Sequence, residues 1–568
     1  MKNFAILTLL TALIVGSADV PADAARVRYD WKDVPRIVAV GDVHGAYENL
    51  LAVLKNAELI DDELNWIGGK AHLVQVGDVL DRGADSRKSM DFYMELQKKA
   101  KKAGGRVHVL IGNHEAFNMV GIADYITPKI YESFSDVKSE KTWERAFKIY
   151  YDEHLKEARS ANKVIPSKEE VREIFLQKFP HGYYGHRAAF GTNGRYGKWI
   201  RGNPVAIRLN GTVFTHGDWS EELSALGIEE VNEEVGKELS GKAPLEEGLT
   251  FHLKAPLQYR GLAEVPLTRK QQEAHKEEVD RILANLDAER MVVGHTVTQG
   301  VIEPRFGGKH ISIDTGMLEL YEGGHQVALE IEGDTLSAIH PGGKVKLPEY
   351  LDENSFAAYL EEVAAVDKEN VTVYVKLSEG YRAKADLENT RLALEQLLRI
   401  PKPIPFRHNQ TLGDTYRSLG MAEEAREQYL IYINSLKKIV EQTPDNPHLK
   451  NLLARFSLGH NLDLNAAEDM IRQALSEQPE NPSFLLTYGR LQVVLHQYSQ
   501  AIGSLQRSIE KGNAGYEAYY QLGLAYLGLG DTTRAREAFE LAVQTNPAAG
   551  AGARQELQKL SDAADLPR

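Results

Sequence analysis

The chain has 568 residues, 43% of them hydrophobic and 26% charged, which is typical of a soluble globular protein with about three or four domains of ~150 residues. Its formal net charge of −14 argues against a nucleic-acid partner, although a small anionic substrate can still bind at a local positive site. It contains no cysteine, which excludes disulfides, thiolate metal sites and a cysteine nucleophile. Any metal site must therefore use His, Asp, Glu or Asn side chains.

Residues 1–24 have the layout of a secretory signal peptide. Lys2 precedes the apolar run Phe4–Val15, and small residues follow it as cleavage options. The run is shorter than the ~20 apolar residues that span a bilayer, and no later stretch reaches that length. A short N-terminal anchor is the alternative. We expect a periplasmic or secreted protein, with no membrane insertion after signal cleavage.

Residues 25–345 are predicted to form an α/β domain, because short apolar runs alternate with segments of helical periodicity such as Tyr47–Leu54 and Ser86–Lys101. The predicted strands are Ile37–Val40, Leu73–Val76, Val107–Ile111, Val205–Leu209, Val213–Thr215 and Met291–Val293. Residues 116–184 are polar, aromatic and helical in pattern. An insertion of that length is typical of a lid or specificity element.

The chain is predicted to leave this domain at Pro341–Pro348 and to continue as a linker over residues 346–405. The linker is expected to contain short α/β elements, namely a helix near Ser355–Val366 and a strand at Val371–Val375. The proline-rich segment Ile400–Phe406 is predicted to be a second, stiff break.

Residues 406–549 are predicted to form an all-α tetratricopeptide repeat array, followed by a C-terminal tail over residues 550–568. The marker residues are Leu412, Gly413, Tyr416, Ala425, Ala467, Ile471, Ala474, Pro479, Leu485, Gly489, Ala501, Leu505, Ser508, Tyr519, Leu522, Gly523, Tyr526, Ala535, Phe539, Ala542 and Pro547. Such arrays bind peptides or proteins on a concave face, so we expect a protein partner here. A generic amphipathic helix bundle is the alternative.

Five short polar motifs each follow a predicted strand. They are Gly41–Gly45, Gly77–Gly83, Gly112–Glu115, His216–Asp218 and Gly294–Thr296. Ligands of open α/β sheets bind beyond the carboxyl ends of the strands, so these side chains are expected to converge. Glycine in each motif allows a tight turn and a close approach to the site.

The residue types in these motifs indicate a centre with two divalent metal ions. The candidate metal ligands are Asp42, His44, Asp78, Asn113, His216 and His295. Oxygen and imidazole donors without thiolate suit Mn, Fe or Zn. Paired cations lower the pKa of a shared water towards ~7 and stabilise both oxygens of an in-line displacement, which favours phosphate-ester hydrolysis. Asp78 is the natural bridging carboxylate.

Three further residues have side chains suited to phosphoryl transfer. Arg82 can bind a phosphoryl group bidentately. His114 follows the candidate ligand Asn113 and can protonate the leaving oxygen, while Asp81 can orient its ring. We therefore expect Arg82 to stabilise transition-state charge and His114 to act as general acid.

The motifs resemble those of the PPP-type, calcineurin-like metallophosphatases, and most closely the Shewanella-like protein phosphatase branch. Gly112–Tyr125, Tyr196–Ile207, Pro256–Gly261 and Ile313–Gly316 carry the resemblance to the branch, which covers about residues 36–335. It implies a β-sandwich flanked by helices. One departure is Asp218, which stands where the family usually has a second glycine.

The resemblance also implies a role for each site residue. Asp42, His44 and Asp78 would hold the first metal, and the second would be held by Asp78, Asn113, His216 and His295. A hydroxide that bridges the metals would attack phosphorus, with His114 as general acid paired with Asp81. Arg82 and Arg260 would bind the phosphate.

We expect an exported phosphomonoesterase that acts on phosphorylated proteins or peptides, with the repeats recruiting a substrate or partner. The branch resemblance favours phosphotyrosine. A hydrolase of dinucleoside polyphosphates or other phosphoanhydrides is an alternative, since such enzymes share the Gly-Asp-x-His-Gly and Gly-His-Thr motifs. An inactive phosphatase-like scaffold is another, although the presence of every candidate ligand and of His114 argues against it.

Overall fold

The computed structural model describes residues 28–161, 166–298, 300–319, 323–548 and 550–564. They form two compact units, of which the first extends to Gly380 and includes Ile400–Lys402, and the second contains Tyr381–Arg399 and the chain from Pro403 onward. The predicted signal peptide, residues 1–24, lies outside the described residues. Among the residues that are described, no helix combines the length and apolar character needed to cross a bilayer.

The first unit is built on two six-stranded sheets. Its strands are β1 (Asp30–Trp31), β2 (Ile37–Val40), β3 (His72–Gln75), β4 (Arg106–Val109), β5 (Ala206–Leu209), β6 (Thr212–Thr215), β7 (Arg290–Val293), β8 (Glu303–Arg305), β9 (His310–Ser312), β10 (Ala328–Glu332), β11 (Thr335–His340) and β12 (Gly343–Lys346). One sheet has the order β12-β11-β10-β2-β3-β4 and the other the order β1-β5-β6-β7-β9-β8. The six predicted strands are confirmed to within two residues at each end.

The two sheets meet at the carboxyl ends of their parallel strands, which are β2, β3 and β4 in one sheet and β6, β7 and β9 in the other. A Cβ atom added to Gly41, which follows β2, would lie 2.4 Å from the carbonyl oxygen of Ile313, which follows β9. A Cβ atom added to Gly294 would lie 2.9 Å from the side chain of Val76. Glycine is therefore required at this junction for close approach of the backbones.

Helices pack around the sheets. They are α1 (Tyr47–Asn56), α2 (Ser86–Lys102), α3 (Asn113–Val120), α4 (Pro128–Glu132), α5 (Val137–Ser160), α6 (Lys168–Lys178), α7 (Tyr183–Phe190), α8 (Arg195–Arg201), α9 (Glu221–Ser224), α10 (Gly227–Leu239), α11 (Arg269–Ala274), α12 (Lys276–Asn285), α13 (Phe356–Val366) and α14 (Val371–Ala383). The described part of the insertion over residues 116–184 is mainly helical, and α5 and α6 share a small aromatic core that includes Trp143, Phe147 and Phe175. Its role as a lid stays a prediction.

The strand predicted at Val371–Val375 is wrong, because these residues begin α14. The run of β-branched residues is typical of a strand. In the structure the side chain of Asn370 accepts a hydrogen bond from the backbone N–H of Val373 at 3.1 Å, and this caps the start of the helix. Val373 and Leu377 are then buried on one helical face, which outweighs the local preference for a strand.

Two boundaries also differ from the sequence expectation. The chain does not leave the first unit at Pro341–Pro348, because β12 lies in that segment and pairs with β11. The predicted linker over residues 346–405 is mainly helical, and its residues are divided between the two units. Short strands and helices at the edge of a domain are difficult to distinguish from a linker in the sequence, because the elements that they pack against are not known at that stage.

The second unit is a helical array, as the repeat pattern predicts. Its helices are α15 (Leu387–Arg399), α16 (Arg407–Ser418), α17 (Ala422–Gln442), α18 (Pro447–Gly459), α19 (Leu464–Glu477), α20 (Pro482–Val494), α21 (Tyr498–Glu510), α22 (Tyr516–Gly528), α23 (Thr532–Thr545) and α24 (Ala551–Ala564). A Cβ atom added to Gly489 would lie 2.6 Å from Leu505, and one added to Gly523 would lie 2.5 Å from Phe539. The marker glycines therefore allow the two helices of a repeat to pack closely.

The predicted C-terminal tail over residues 550–568 is wrong for its described part. Residues Ala551–Ala564 form α24, which packs on α23. The side chain of Ala553 is buried in the apolar cluster that also contains Phe539 and Ala542. A final helix of this kind covers the apolar face that the last repeat would otherwise expose.

Candidate metal centre

The structure brings the six predicted metal ligands together where the two sheets meet. All six are buried, with at most 8% of each residue exposed. They are Asp42, His44, Asp78, Asn113, His216 and His295. The loops after β2, β3, β6 and β7 supply five of them, and the first residue of α3 supplies Asn113. Residues far apart in the sequence therefore converge, as their positions after strands predict.

Asp78 lies at the middle of this group. Its Oδ2 atom is 3.4 Å from Nε2 of His216, 3.6 Å from Nε2 of His44 and 3.8 Å from Nε2 of His114. Two sets of three residues have donor atoms within 4.8 Å of one another, His44–Asp78–His114 and Asp78–His216–His295. Because the sets share Asp78, one carboxylate is available to both halves of the centre.

Hydrogen bonds to carbonyl oxygens orient the candidate imidazole ligands. His44 donates from Nδ1 to the carbonyl oxygen of Leu80 at 3.0 Å, and His216 donates from Nδ1 to that of Val76 at 3.0 Å. Each ring therefore turns its other nitrogen, as a lone pair, towards Asp78. Burial lowers the pKa of His44 to about 3 and that of His295 to about 2, so these rings are neutral. Neutral imidazoles are the form that binds metal.

The carboxylates of the centre lie close together in a buried space. Burial and the neighbouring carboxylates of Asp314 and Asp78 raise the pKa of Asp42 well above its usual range. Burial also raises the pKa of Asp314 to about 6. Oδ1 of Asn113 lies 3.1 Å from Nε2 of His216 and adds a neutral oxygen donor. Crowded carboxylates, an amide oxygen and neutral imidazoles form a donor set that fits two divalent cations.

Proton competition is expected to make cation binding depend on pH. With a pKa of about 6, Asp314 is protonated near pH 5 and ionised near pH 7.5 in the metal-free chain. Because the pKa of Asp314 is raised on folding, its protonated form contributes to the free energy of unfolding of the metal-free chain. This contribution is lost as pH rises through about 6. Saturating MnCl₂ should therefore raise the melting temperature more at pH 7.5 than at pH 5, as measured by thermal denaturation. Equal increases at the two pH values would contradict the prediction.

The predicted general acid has a defined orientation. His114 donates from Nδ1 to Oδ2 of Asp81 at 2.8 Å. The amide nitrogen of Asn118 donates to both carboxylate oxygens of Asp81 at 2.9 Å. Sequence reasoning missed Asn118, although its position four residues after His114 on α3 places the two on the same face. Nη2 of Arg82 lies 3.4 Å from Nε2 of His114.

Arg260 lies on another side of the centre, where the resemblance places a second phosphate-binding arginine. Its Nη1 atom donates to the backbone carbonyl of His295 and lies 3.4 Å from the hydroxyl of Thr296. Its Nη2 atom is 3.4 Å from Nδ1 of His295. The structure therefore brings all four predicted catalytic residues and all six predicted ligands to one site.

A second residue that sequence reasoning missed is Glu115. It is almost fully buried, and its carboxylate accepts hydrogen bonds from the backbone N–H groups of Asp78, Val79 and Gly112 at 2.8 to 2.9 Å. The carboxylate therefore joins the loop after β3 to the start of α3. Glu115 does lie in the Gly112–Glu115 motif of the sequence. Its residue type alone, however, does not indicate that it joins two segments of backbone.

The backbone of the centre is strained. Five site residues have φ in the left-handed region, which costs about 1–2 kcal/mol for a residue with a Cβ atom. They are His44 (47°), Asp78 (50°), Asp81 (73°), Arg82 (63°) and His295 (62°). Such residues persist only where the surrounding structure holds them, and they are typical of functional sites.

Comparisons with known proteins agree with this site. Residues 35–299 match the calcineurin-like phosphoesterase family, and residues 516–548 match the tetratricopeptide repeat family. Shewanella-like protein phosphatase 2 of Arabidopsis thaliana is 31% identical over 316 residues, which are 53% of this chain and 76% of that protein. Shewanella-like protein phosphatase 1 of Plasmodium berghei is 28% identical over 296 residues, which are 50% of this chain and 67% of that protein.

Among solved structures, the cold-active protein-tyrosine phosphatase of a psychrophilic Shewanella is similar, with 24% sequence identity and a TM-score of 0.43. The similarity covers 57% of this chain and 83% of that one. The match to the calcineurin-like phosphoesterase family, over residues 35–299, includes the loops after β2, β3, β6 and β7 and the start of α3. The chain therefore belongs to the Shewanella-like protein phosphatases, within the calcineurin-like phosphoesterases, and is a metal-dependent phosphatase.

Proposed function

We propose that this phosphatase hydrolyses phosphomonoesters of phosphorylated proteins or peptides. The observation that supports this most directly is the pair of donor clusters that share Asp78, His44–Asp78–His114 and Asp78–His216–His295. One metal would be held by Asp42, His44 and Asp78, and the other by Asp78, Asn113, His216 and His295. When bound, two divalent cations lower the pKa of a shared water and stabilise the oxygens of an in-line displacement at phosphorus.

The residues around this centre would bind the substrate and move a proton. Arg82 and Arg260 offer guanidinium groups to the phosphoryl oxygens from different sides of the centre. His114 would transfer its Nε2 proton to the leaving oxygen, because Asp81 already accepts the Nδ1 proton. The contact with Asp81 also fixes the orientation of the ring, so that Nε2 of His114 faces the centre, 3.8 Å from Oδ2 of Asp78.

We further propose a preference for phosphotyrosine. Three aromatic residues, Tyr125, Phe117 and Phe251, form a stacked row that we call the aromatic wall. The row begins beside the general acid, where the ring centroid of Tyr125 lies 4.6 Å from that of His114. Phe117 is stacked on Tyr125 at 5.8 Å and on Phe251 at 5.9 Å. A leaving group whose oxygen is protonated by His114 would lie beside the ring of Tyr125. An aryl group can pack against it, which stabilises the aryl ester over an alkyl ester.

The wall predicts a substrate-selective effect of Tyr125→Ala. Loss of one aromatic contact, worth about 0.5–1.5 kcal/mol, should lower kcat/KM for a phosphotyrosine peptide by roughly 2- to 12-fold. The matched phosphoserine peptide should be nearly unaffected, and Tyr125→Phe should retain the preference. The measurement is steady-state kinetics of metal-loaded protein on both peptides. Equal losses on the two peptides would exclude selection by the wall.

The same preparation tests the proposed reaction itself. Metal analysis is combined with a panel of phosphotyrosine peptide, phosphoserine peptide and diadenosine tetraphosphate. We expect hydrolysis of the peptides and no comparable cleavage of the dinucleotide. A preference for the dinucleotide would instead support the phosphoanhydride hydrolase.

Export, metal identity and partner binding also belong to the proposal. The signal-peptide pattern of residues 1–24 supports a periplasmic or secreted location. The oxygen and imidazole donors support Mn, Fe or Zn. The repeat helices support recruitment of a protein partner or substrate, since such arrays present extended binding surfaces.

A further inference from the structure

Asp218 is a buried carboxylate that the proposed reaction does not use. It is 1% exposed and lies two residues after the candidate ligand His216. Its Oδ2 atom accepts hydrogen bonds from the backbone N–H groups of Leu262 at 2.7 Å and Ala263 at 2.8 Å. Its Oδ1 atom accepts a hydrogen bond from Nε2 of His310 at 2.6 Å. Both carboxylate oxygens are therefore used to hold one backbone segment and one strand.

The segment that Asp218 holds is Pro256–Ala263, which we call the arginine segment. Its first half is joined to the same loop through the backbone, because Gly217 donates to the carbonyl of Pro256 at 2.6 Å and Asp218 donates to that of Tyr259 at 2.8 Å. A Cβ atom added to Gly217 would lie 2.8 Å from the carbonyl oxygen of Tyr259. The arginine segment is therefore tied to this loop at both of its ends.

The loop and strand that hold the segment are themselves anchored in the core. The side chain of Trp219 is fully buried in the main apolar cluster. His310 is the first residue of β9, is fully buried, and pairs with β7 next to the centre. Asp218 therefore connects an irregular segment of backbone to two buried supports.

Arg260 lies between the two attachment points, since Tyr259 precedes it and Leu262 follows it. We infer that Asp218 and His310 form a positioning pair that directs Arg260 towards the substrate phosphoryl group. The pair acts through the backbone and does not touch the substrate. The inference rests on the proposed phosphate-binding role of Arg260. Partners that orient a site residue in this way typically change affinity or activity by about 10- to 100-fold.

A double-mutant cycle on the full-length, metal-loaded chain tests this inference. Asp218→Ala should lower kcat/KM for p-nitrophenyl phosphate by about 10-fold or more and weaken binding of inorganic phosphate by a similar factor. In the Arg260→Ala background the same substitution should cost less than about 3-fold, because the residue that it positions is already absent. Asp218→Asn should recover most of the activity, since its amide oxygen can still accept both backbone hydrogen bonds.

Asn232→Ala is the matched control. The side-chain oxygen of Asn232 also accepts hydrogen bonds from two consecutive backbone N–H groups, those of Val205 and Ala206, but it holds no catalytic segment. This variant should lower the melting temperature and keep the phosphate affinity. Equal losses from Asp218→Ala with and without Arg260 would overturn the inference. No effect of Arg260→Ala alone would overturn the proposed role of the arginine, and an inactive wild type would overturn the proposed function.

Discussion

Asp78→Asn should reduce turnover by roughly a thousandfold or more and lower the metal content of the purified protein. The reason is the position of its carboxylate, within 3.4 to 3.8 Å of three imidazole nitrogens and common to both ligand sets. The substitution removes one negative charge from both halves of the centre at once. Asparagine has nearly the same volume, so the fold should be preserved.

Metal content per chain by plasma mass spectrometry and kcat on p-nitrophenyl phosphate are the two measurements for this prediction. Asp367→Asn is the matched control, because Asp367 is also a buried aspartate, hydrogen-bonded to His340 at 3.2 Å and not to any residue of the centre. It should keep both turnover and metal. If the Asp78→Asn variant retained two metal ions and normal turnover, the shared carboxylate would have no bridging role.

His114→Asn should have an effect that depends on the leaving group. General acid catalysis contributes typically about 10²–10⁴-fold, and it is needed most when the departing oxygen is a poor leaving group. Hydrolysis of an alkyl phosphate should therefore fall by about that factor, while hydrolysis of p-nitrophenyl phosphate should fall much less. The contacts of His114 with Asp81 and, through it, Asn118 fix which ring nitrogen carries the transferable proton.

The measurement is kcat/KM for a series of aryl and alkyl phosphates plotted against the pKa of the leaving group. The slope should be steeper in the His114→Asn variant than in the wild type. Parallel plots for the two proteins would argue against a general acid and for a purely electrostatic role. Asn118→Ala is a useful intermediate, because it removes only a partner of Asp81 and should change the slope less.

Much of the centre could be predicted from the sequence, because its ligands occupy short motifs that follow apolar strands. Asp42, Asp78 and His216 each follow such a strand within three residues. Asp314 and Glu115 could not be assigned roles in this way. The contribution of Asp314 depends on the approach of β9 to β2, and that of Glu115 on three backbone N–H groups that become neighbours only in the folded chain.

The errors in secondary structure have a similar origin. Val371–Val375 has the residue types of a strand, but a side-chain cap from Asn370 and burial of one face decide in favour of a helix. The last helix of the array, α24, has Leu557 and Leu560 as its large apolar residues, and it packs on α23. In both cases tertiary contacts outweigh local preference, which a single sequence does not reveal.

The left-handed backbone of the centre has a consequence for engineering and evolution. Glycine adopts such dihedral angles without steric cost, so glycine at the position of Arg82 would relieve backbone strain. A selection for heat resistance alone would favour that exchange, and it would return proteins that withstand higher temperatures but have lost a proposed phosphate-binding side chain. Thermal stability and catalytic activity therefore place opposite demands on the left-handed backbone of the centre.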